Sequence, residues 1–308
     1  MSRPHAMEKN LPDVVFRRVL YGFAGVAFIL VLGIVIFLVD MGLPAIKEGG
    51  FSKIFAMEWN PPLKLYGILP FIYGTLVSSL LALLIATPIS VSSALFLTEI
   101  APRRVGSVFS FLVEMLAAIP SVVYGLWGLF VVTPWMRVTV QPWMRDHFGW
   151  LPFFQGQIYG VSIMAAAVIL SIMITPTITA ICREVFASTP AMLREGVLSL
   201  GSTRFEMMWI AILKASRGGI LGAMILGLGR ALGETMAVTM VIGNSPTISA
   251  SFFAPHQTMA SAIASEVAEA SGTHLSALGV VGLALLMISG LVFFLLRMMI
   301  RSRKEQRR

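Results

Sequence analysis

Long apolar segments separated by shorter polar connections dominate this chain. An α-helix needs about 20 predominantly apolar residues to cross a bilayer. Six segments reach that length, at residues 16–39, 68–97, 107–132, 158–181, 218–243 and 277–299. Pro88 and Pro120 lie inside the second and third segments, where a proline kinks a helix. The pattern predicts an all-α integral membrane protein with six transmembrane helices.

Lysine and arginine are concentrated in alternate connections. Seventeen of the 23 lie in the N-terminal region, in residues 98–106 and 182–217, and at the C-terminus. The other connections hold five, and the remaining one, Arg230, lies inside a segment. Those five are Lys47, Lys53, Lys64, Arg137 and Arg145. Because positive charge marks the cytoplasmic side, both termini are predicted to be cytoplasmic. The first segment is too long for a secretory signal peptide, and no small-x-small cleavage site follows it.

Two of the predicted outer loops have distinct compositions. Residues 133–157 combine prolines with tryptophan and phenylalanine, which is typical of anchoring at the membrane interface. Residues 244–276 are rich in serine, threonine and alanine, and they include Glu266 and Glu269. We expect the second loop to form a short amphipathic helix or a surface for a partner.

Composition excludes several classes of function. The chain is 57% hydrophobic and only 12% charged, about half the usual charged fraction of a soluble protein, so membrane lipid must cover much of it. The net charge of +8 lies mainly at segment ends, which argues against a nucleic-acid partner. One cysteine and four scattered histidines offer no metal site. No phosphate-binding Gly-x-x-x-x-Gly-Lys-Ser/Thr loop and no nucleophile–base set is present, so we predict neither an enzyme nor a cofactor bound by this chain.

Arg230 and Glu234 are the candidate residues for substrate translocation. An arginine at the centre of a bilayer costs about 2.5–3.5 kcal/mol on insertion scales, so an intramembrane charge indicates a functional site. A spacing of four residues puts both on one helical face, where Glu234 is predicted to pair with Arg230. The alternative is an ion pair that only holds the helices together. We interpret the neighbouring glycines as sites of close helix packing: Gly222, Gly227, Gly229 and Gly233.

Glu114 is a weaker candidate in the third segment. Its carboxylate could pair with Arg230 or with a cation on another helix. It could instead cap a backbone defect near Pro120.

The longest cytoplasmic connection, residues 182–217, has the composition of a folded element rather than of a flexible linker. Thr189 and Pro190 suit the start of a helix, and Gly201 suits its end in a left-handed conformation. A second short helix would present one apolar side at helical spacing, formed by Phe205, Met208 and Trp209. This arrangement is suited to docking in the groove of another protein.

Several motifs of the chain resemble those of a known family. Arg194-Glu195-Gly196 with Gly201, Phe205 and Leu213 resembles the Glu-Ala-Ala loop of the binding-protein-dependent ABC importer permeases. Gly196 replaces the usual alanine, and Lys214 replaces the usual proline. The runs at 118–125 and 229–235 resemble the phosphate-specific branch of that family. Those at 241–244 and 261–266 resemble its C-type subunit rather than the A-type partner.

The resemblance implies a type I ABC importer permease fold. Residues 1–66 would hold the cytoplasmic N-terminus, the first helix and the first periplasmic loop. Residues 67–299 would form the permease domain, with a coupling loop at about 187–209, and residues 300–308 a basic cytoplasmic tail. Four residues of the loop would serve ATPase coupling: Glu195, Gly196, Gly201 and Phe205.

By the same resemblance, the substrate is inorganic phosphate, which would cross the inner membrane. A guanidinium fits the geometry of phosphate, and Glu234 would temper its hold. The implied partners are a homologous A-type permease, an ATP-binding cassette ATPase dimer and a periplasmic phosphate-binding protein. ATP would be used by the ATPase subunit.

Two alternatives stay open. One is a permease of a related ABC importer for another oxyanion or small solute. The other is a self-sufficient ion-coupled carrier or channel, a class that often has internal repeats, and no repeat is evident in this sequence.

Overall fold

The computed structural model describes residues 11–50 and 54–305, and within them the chain is mostly helical. Its strands form a small antiparallel hairpin, in which β1 (Trp59–Asn60) pairs with β2 (Leu65–Tyr66). The helices are α1 (Leu11–Gly49), α2 (Leu69–Ile100), α3 (Arg103–Ala118), α4 (Ser121–Phe148), α5 (Ile163–Ala187), α6 (Ala191–Ser199), α7 (Arg204–Leu213), α8 (Arg217–Leu232), α9 (Met236–Val241), α10 (Met259–Glu266) and α11 (Thr273–Glu305).

Five helices in the described part of the chain are long and apolar enough to cross a membrane, namely α1, α2, α4, α5 and α11. A sixth span arises if α7 and α8, which meet at a bend of 71°, count as one. The predicted all-α membrane class is therefore confirmed, with one of the six spans broken.

The third predicted segment, 107–132, is wrong as a single helix. The chain is extended at Ile119 and Pro120, which separates α3 from α4. A proline disfavours helical backbone at the preceding residue, so the break falls where Pro120 stands. The span is α4, which continues to Phe148 and includes residues 133–148 of the predicted outer loop 133–157. Wide π-helical turns precede Pro134 and Pro142 and allow this helix to continue.

The fifth predicted segment, 218–243, is also interrupted. Helix α8 ends at Leu232, Gly233 to Thr235 form a break, and α9 starts at Met236. Glycine is a poor helix former, and here it caps the end of α8.

Helix α5 forms the centre of the main core. Its side chains are buried on several sides, and α2, α3 and α8 pack around it. Ser90 Oγ of α2 donates a hydrogen bond of 3.1 Å to the carbonyl oxygen of Thr175 in α5. The fully buried side chains of α5 include Ile169, Leu170, Met173, Ile174 and Ile178. This packing and the hydrogen bond from Ser90 hold the neighbouring helices in place against α5.

The C-terminal part of α1 packs against the N-terminal part of α11. Small residues let the two backbones approach, since Gly279 faces Met41 and Gly42 faces Val280. From Val15 to Phe37 nearly all side chains of α1 are exposed on the isolated chain. Helix α11 extends to Glu305 and so includes much of the predicted basic tail, whereas Lys53, Arg307 and Arg308 lie outside the described residues.

The loop 244–276 folds back onto the bundle. Helix α10 confirms the predicted short helix, but its first turn is buried. Glu266 at its end accepts hydrogen bonds from Trp59 Nε1 (3.0 Å) and Gln257 Nε2 (3.4 Å), and it pairs with His274 Nε2 at 2.9 Å. This carboxylate joins the β hairpin to α10 and α11.

Candidate substrate site and coupling segment

Arg230 lies in the last turn of α8 and is half-buried. Its Nη1 donates a hydrogen bond of 3.2 Å to Thr177 Oγ1 on α5. The hydroxyl of Tyr124 on α4 interacts electrostatically with Arg230 and donates a hydrogen bond of 2.9 Å to the carbonyl oxygen of Leu116. The guanidinium thus stands where α8, α5 and the junction of α3 with α4 meet.

The predicted Arg230–Glu234 pair is wrong for this conformation. Among the described residues, no carboxylate lies within 4.0 Å of Arg230. Because α8 ends at Leu232, the two side chains are not one turn apart on a continuous helix. Glu234 Oε1 instead accepts a hydrogen bond of 3.3 Å from the backbone N–H of Ala237. Free N–H groups at a helix start attract such an acceptor, so Glu234 serves the first turn of α9.

Glu114 pairs with Arg183 of α5. The distance from Arg183 Nη2 to Glu114 Oε1 is 3.0 Å. Of the alternatives considered for Glu114, the structure selects a cation on another helix, and it excludes Arg230 as that cation.

Two of the four glycines around Arg230 occupy packing positions. A side chain at Gly227 would overlap Ile178, and one at Gly229 would overlap the ring of Phe293. Gly222 has open space, and Gly233 meets only the backbone of its own helix. The packing interpretation is confirmed for the first two, whereas the described chain contributes no packing partner from another helix at Gly222 or Gly233.

The predicted coupling segment, residues 187–209, has the helix–glycine–helix form that its sequence predicts. Helix α6 ends before Gly201, which has a φ of +84° in the left-handed region. Thr203 and Glu206 then form a reciprocal capping box that starts α7.

Large apolar side chains of this segment point outward. Phe205 is 71% exposed and Trp209 is 53% exposed, and Met192 and Leu200 are exposed as well. Met208 instead packs against the core, so the predicted common face with Phe205 and Trp209 is wrong. A π-helical turn begins at Met208 and changes the side-chain spacing there.

Glu195 and Gly196 are both exposed on α6. No hydrogen bond or ion pair within the described chain involves the Glu195 side chain, and Gly196 has open space where a Cβ would stand. The replacement of alanine by glycine therefore relieves no clash inside this chain. Sequence reasoning named the neighbouring Arg194 only as part of the motif and missed its ion pair with Glu99, at 2.9 Å. Its partner lies 95 residues away, and no local pattern could have revealed it.

Comparison with known proteins decides the family. The family described as "binding-protein-dependent transport system inner membrane component" matches residues 86–306, which include the candidate site and the coupling segment. The chain belongs to this family. It is a multi-pass inner membrane permease of a transport system, as its motifs predicted, and not an enzyme.

Curated relatives of the permease match it over most of their length. The "phosphate transport system permease protein PstC" of Pasteurella multocida is 42% identical, over 100% of this chain and 98% of that protein. The protein of the same name from Xylella fastidiosa (strain Temecula1) is 43% identical, over 92% and 90%. A "probable" PstC of Methanocaldococcus jannaschii is 35% identical, over 80% and 78%.

A solved structure shares the fold of the permease. An inward-facing structure of the MetNI methionine ABC transporter aligns with a TM-score of 0.53, covering 80% of this chain and 99% of that one. The sequence identity is 17%, so the match concerns the fold alone. The predicted ABC importer permease fold is confirmed.

Proposed function

We propose that this permease carries inorganic phosphate across the inner membrane as part of an ATP-driven importer. The observation that carries the proposal is that Arg230 has no carboxylate partner within the described residues. Its guanidinium is half-buried in a helix that belongs to the bundle, and within the described residues it has a hydroxyl partner but no carboxylate. An intramembrane cation without a counter-ion is costly, and a bound anion would offset that cost.

The neighbours of Arg230 suit a transient oxyanion site. A guanidinium binds phosphate through paired donors, and the hydroxyl of Thr177 is both a donor and an acceptor. Glu234, a few residues further along the chain, adds negative charge that opposes tight binding of an anion. A transport site must release its substrate, so one arginine with a nearby carboxylate is suited to passage rather than storage. The names of the PstC relatives support phosphate as that oxyanion.

The assembly follows from the coupling segment and the charge asymmetry. An ATPase dimer would dock on residues 187–209 and on the equivalent segment of a homologous A-type permease. A phosphate-binding protein would deliver substrate to the outer loops, and both termini would be cytoplasmic. ATP binding and hydrolysis in the ATPase would then move the helices and alternate access to Arg230.

Uptake of labelled phosphate in cells that lack this chain tests the proposal. Complementation with Arg230→Gln should reduce uptake about tenfold or more, since a hydrogen bond to a charged group contributes about 1.5–3 kcal/mol. Arg217→Gln is the matched control, because this arginine is exposed at the start of the same helix. Wild-type uptake by a normally expressed Arg230→Gln chain would contradict the proposal. Competition by excess sulfate or molybdate would favour a permease for another oxyanion.

A further inference from the structure

Arg194 joins three parts of the permease at its cytoplasmic end. Its Nη2 pairs with Glu99 Oε1 at 2.9 Å and donates a second hydrogen bond of 2.9 Å to the carbonyl oxygen of Phe186. Its Nη1 donates a hydrogen bond of 3.0 Å to the carbonyl oxygen of Thr189. One guanidinium therefore holds the end of α2, the end of α5 and the approach to α6 together.

We propose that the Arg194–Glu99 pair is the strut through which the coupling segment moves helix α2. Arg194 and Glu99 are positioning residues in this role, and neither touches substrate. The inference rests on the proposed transport function, because a strut matters only if the docked ATPase drives the helices.

The pair is well shielded from water. The side chains of Arg194 and Glu99 are 24% and 11% exposed, whereas the Arg183–Glu114 pair nearby is 27% and 59% exposed. Removing one partner of a shielded pair leaves an uncompensated charge. The two groups consequently resist separation when α6 is displaced, which is the property that a strut requires.

Helix α2 leads from this pair toward the candidate substrate site. Glu99 lies in the π-helical turn that ends α2, and Ser90 on the same helix bonds to the carbonyl oxygen of Thr175 in α5. Two residues further along α5, Thr177 holds Arg230. Rigid helices and discrete hydrogen bonds thus connect α6 with Arg230, and a physical connection of this kind is what energetic coupling between distant sites requires.

A local role for Arg194 gives a different expectation. The hydrogen bonds to Phe186 and Thr189 would by themselves cap the end of α5, since the last carbonyls of a helix lack partners within it. In that case Glu99 would be dispensable. Glu99→Gln separates the two roles, because it removes the charge on α2 and leaves both carbonyl contacts of Arg194 in place.

The experiment uses the whole importer in proteoliposomes, with its ATPase, partner permease and substrate-loaded binding protein. ATP hydrolysis and phosphate uptake are measured in the same preparation. Glu99→Gln should lower the phosphate transported per ATP at least about fivefold, the lower range of energetic coupling between sites. Arg194→Lys keeps a cation opposite Glu99, although a lysine lacks the paired donors of the guanidinium, so it should lower this ratio less than Glu99→Gln does. The matched control is Glu184→Gln, since Glu184 is an exposed carboxylate at the end of α5 without a side-chain partner among the described residues.

The inference is overturned if Glu99→Gln transports as much phosphate per ATP as the wild type. A reversed pattern, with Arg194→Lys uncoupled and Glu99→Gln coupled, overturns it as well and leaves Arg194 as a helix cap. If Glu99→Gln fails to assemble, Glu99→Asp keeps the charge with a shorter reach. Glu99→Asp should then show a lowered ratio, and a wild-type ratio would overturn the strut. Failure of the wild-type importer to take up phosphate would instead refute the proposed function.

Discussion

Arg230 is held in place by a neighbour that its sequence context does not reveal. Thr177 lies 53 residues earlier in the chain, on α5, and supplies the only hydrogen bond that the structure records for the guanidinium within the described residues. A long, flexible arginine loses side-chain freedom when it is fixed for an incoming anion. In the proposed function, the hydrogen bond to Thr177 fixes the guanidinium before the anion binds and so reduces this entropy cost.

Thr177→Val should therefore weaken transport although it nearly preserves side-chain shape. Loss of a hydrogen bond to a charged group predicts a fall of about tenfold in phosphate uptake at low substrate concentration. Thr177→Ser keeps the hydroxyl and should recover most of the uptake. Initial rates over a range of phosphate concentrations provide the measurement. Equal rates for the valine and serine variants would show that the hydroxyl does not act on Arg230.

The sequence alone singles out Arg230 and Glu234 as candidates, but it did not predict how the two side chains are arranged. Arg230 stands out because a charge within an apolar segment is rare. The pairing with Glu234 failed because it assumed a continuous helix, and Gly233 ends that helix. Contacts such as Arg230–Thr177 depend on how α8 and α5 pack, and single-chain spacing contains no information about that packing.

Hydrophobic patterning predicts which segments cross the membrane but not where each helix breaks. Proline at position 88 lies inside α2 without ending it, whereas Pro120 separates α3 from α4. Both were visible in the sequence. What decides between a kink and a break is whether neighbouring groups satisfy the freed backbone, and that depends on tertiary contacts. At Leu116 the hydroxyl of Tyr124 supplies such a contact just before the break.

At the predicted coupling segment, Phe205 and Trp209 are exposed aromatic side chains that we expect to contact the ATPase. Phe205→Ala should weaken association with the ATPase about tenfold or more, because buried aromatic anchors dominate protein interfaces. Co-purification of the ATPase with the permease, followed by titration, measures the effect. Trp150→Ala is the control, since this residue is equally exposed but belongs to the predicted outer region.

A Phe205→Ala permease that retains wild-type affinity would place the ATPase contact elsewhere. In the isolated permease the substitution should change stability little, since the Phe205 side chain is mostly exposed there. Thermal unfolding of the permease without its ATPase separates this effect from a folding defect.

For the whole molecule, the charge asymmetry predicts which loops face the cytoplasm. Cys182 is the single cysteine and is fully buried, so introduced cysteines can be labelled without first removing it. A labelling reagent does not reach the Cys182 thiol, because the side chain is buried. Ser107 and Ser271 are exposed near opposite ends of the bundle, one in the first turns of α3 and the other just before α11.

In intact spheroplasts, a membrane-impermeant maleimide should label Ser271→Cys. It should label Ser107→Cys only after permeabilisation, because the positive-inside rule places the 98–106 connection in the cytoplasm. The wild-type chain is the control for labelling of Cys182. Labelling in the opposite order would invert the predicted topology and move residues 187–209 away from any cytoplasmic ATPase.

The contact between α1 and α11 has a consequence for how the permease is made. Helix α1 leaves the ribosome well before α11, yet Met41 and Gly42 pack against Gly279 and Val280. Chains are synthesised at about 5–20 residues per second, so α1 must wait in lipid for many seconds before this partner exists. The packing of α11 against α1 is then a late event in the biogenesis of the permease. Quality control that recognises an unpaired α1 would distinguish unfinished from finished chains.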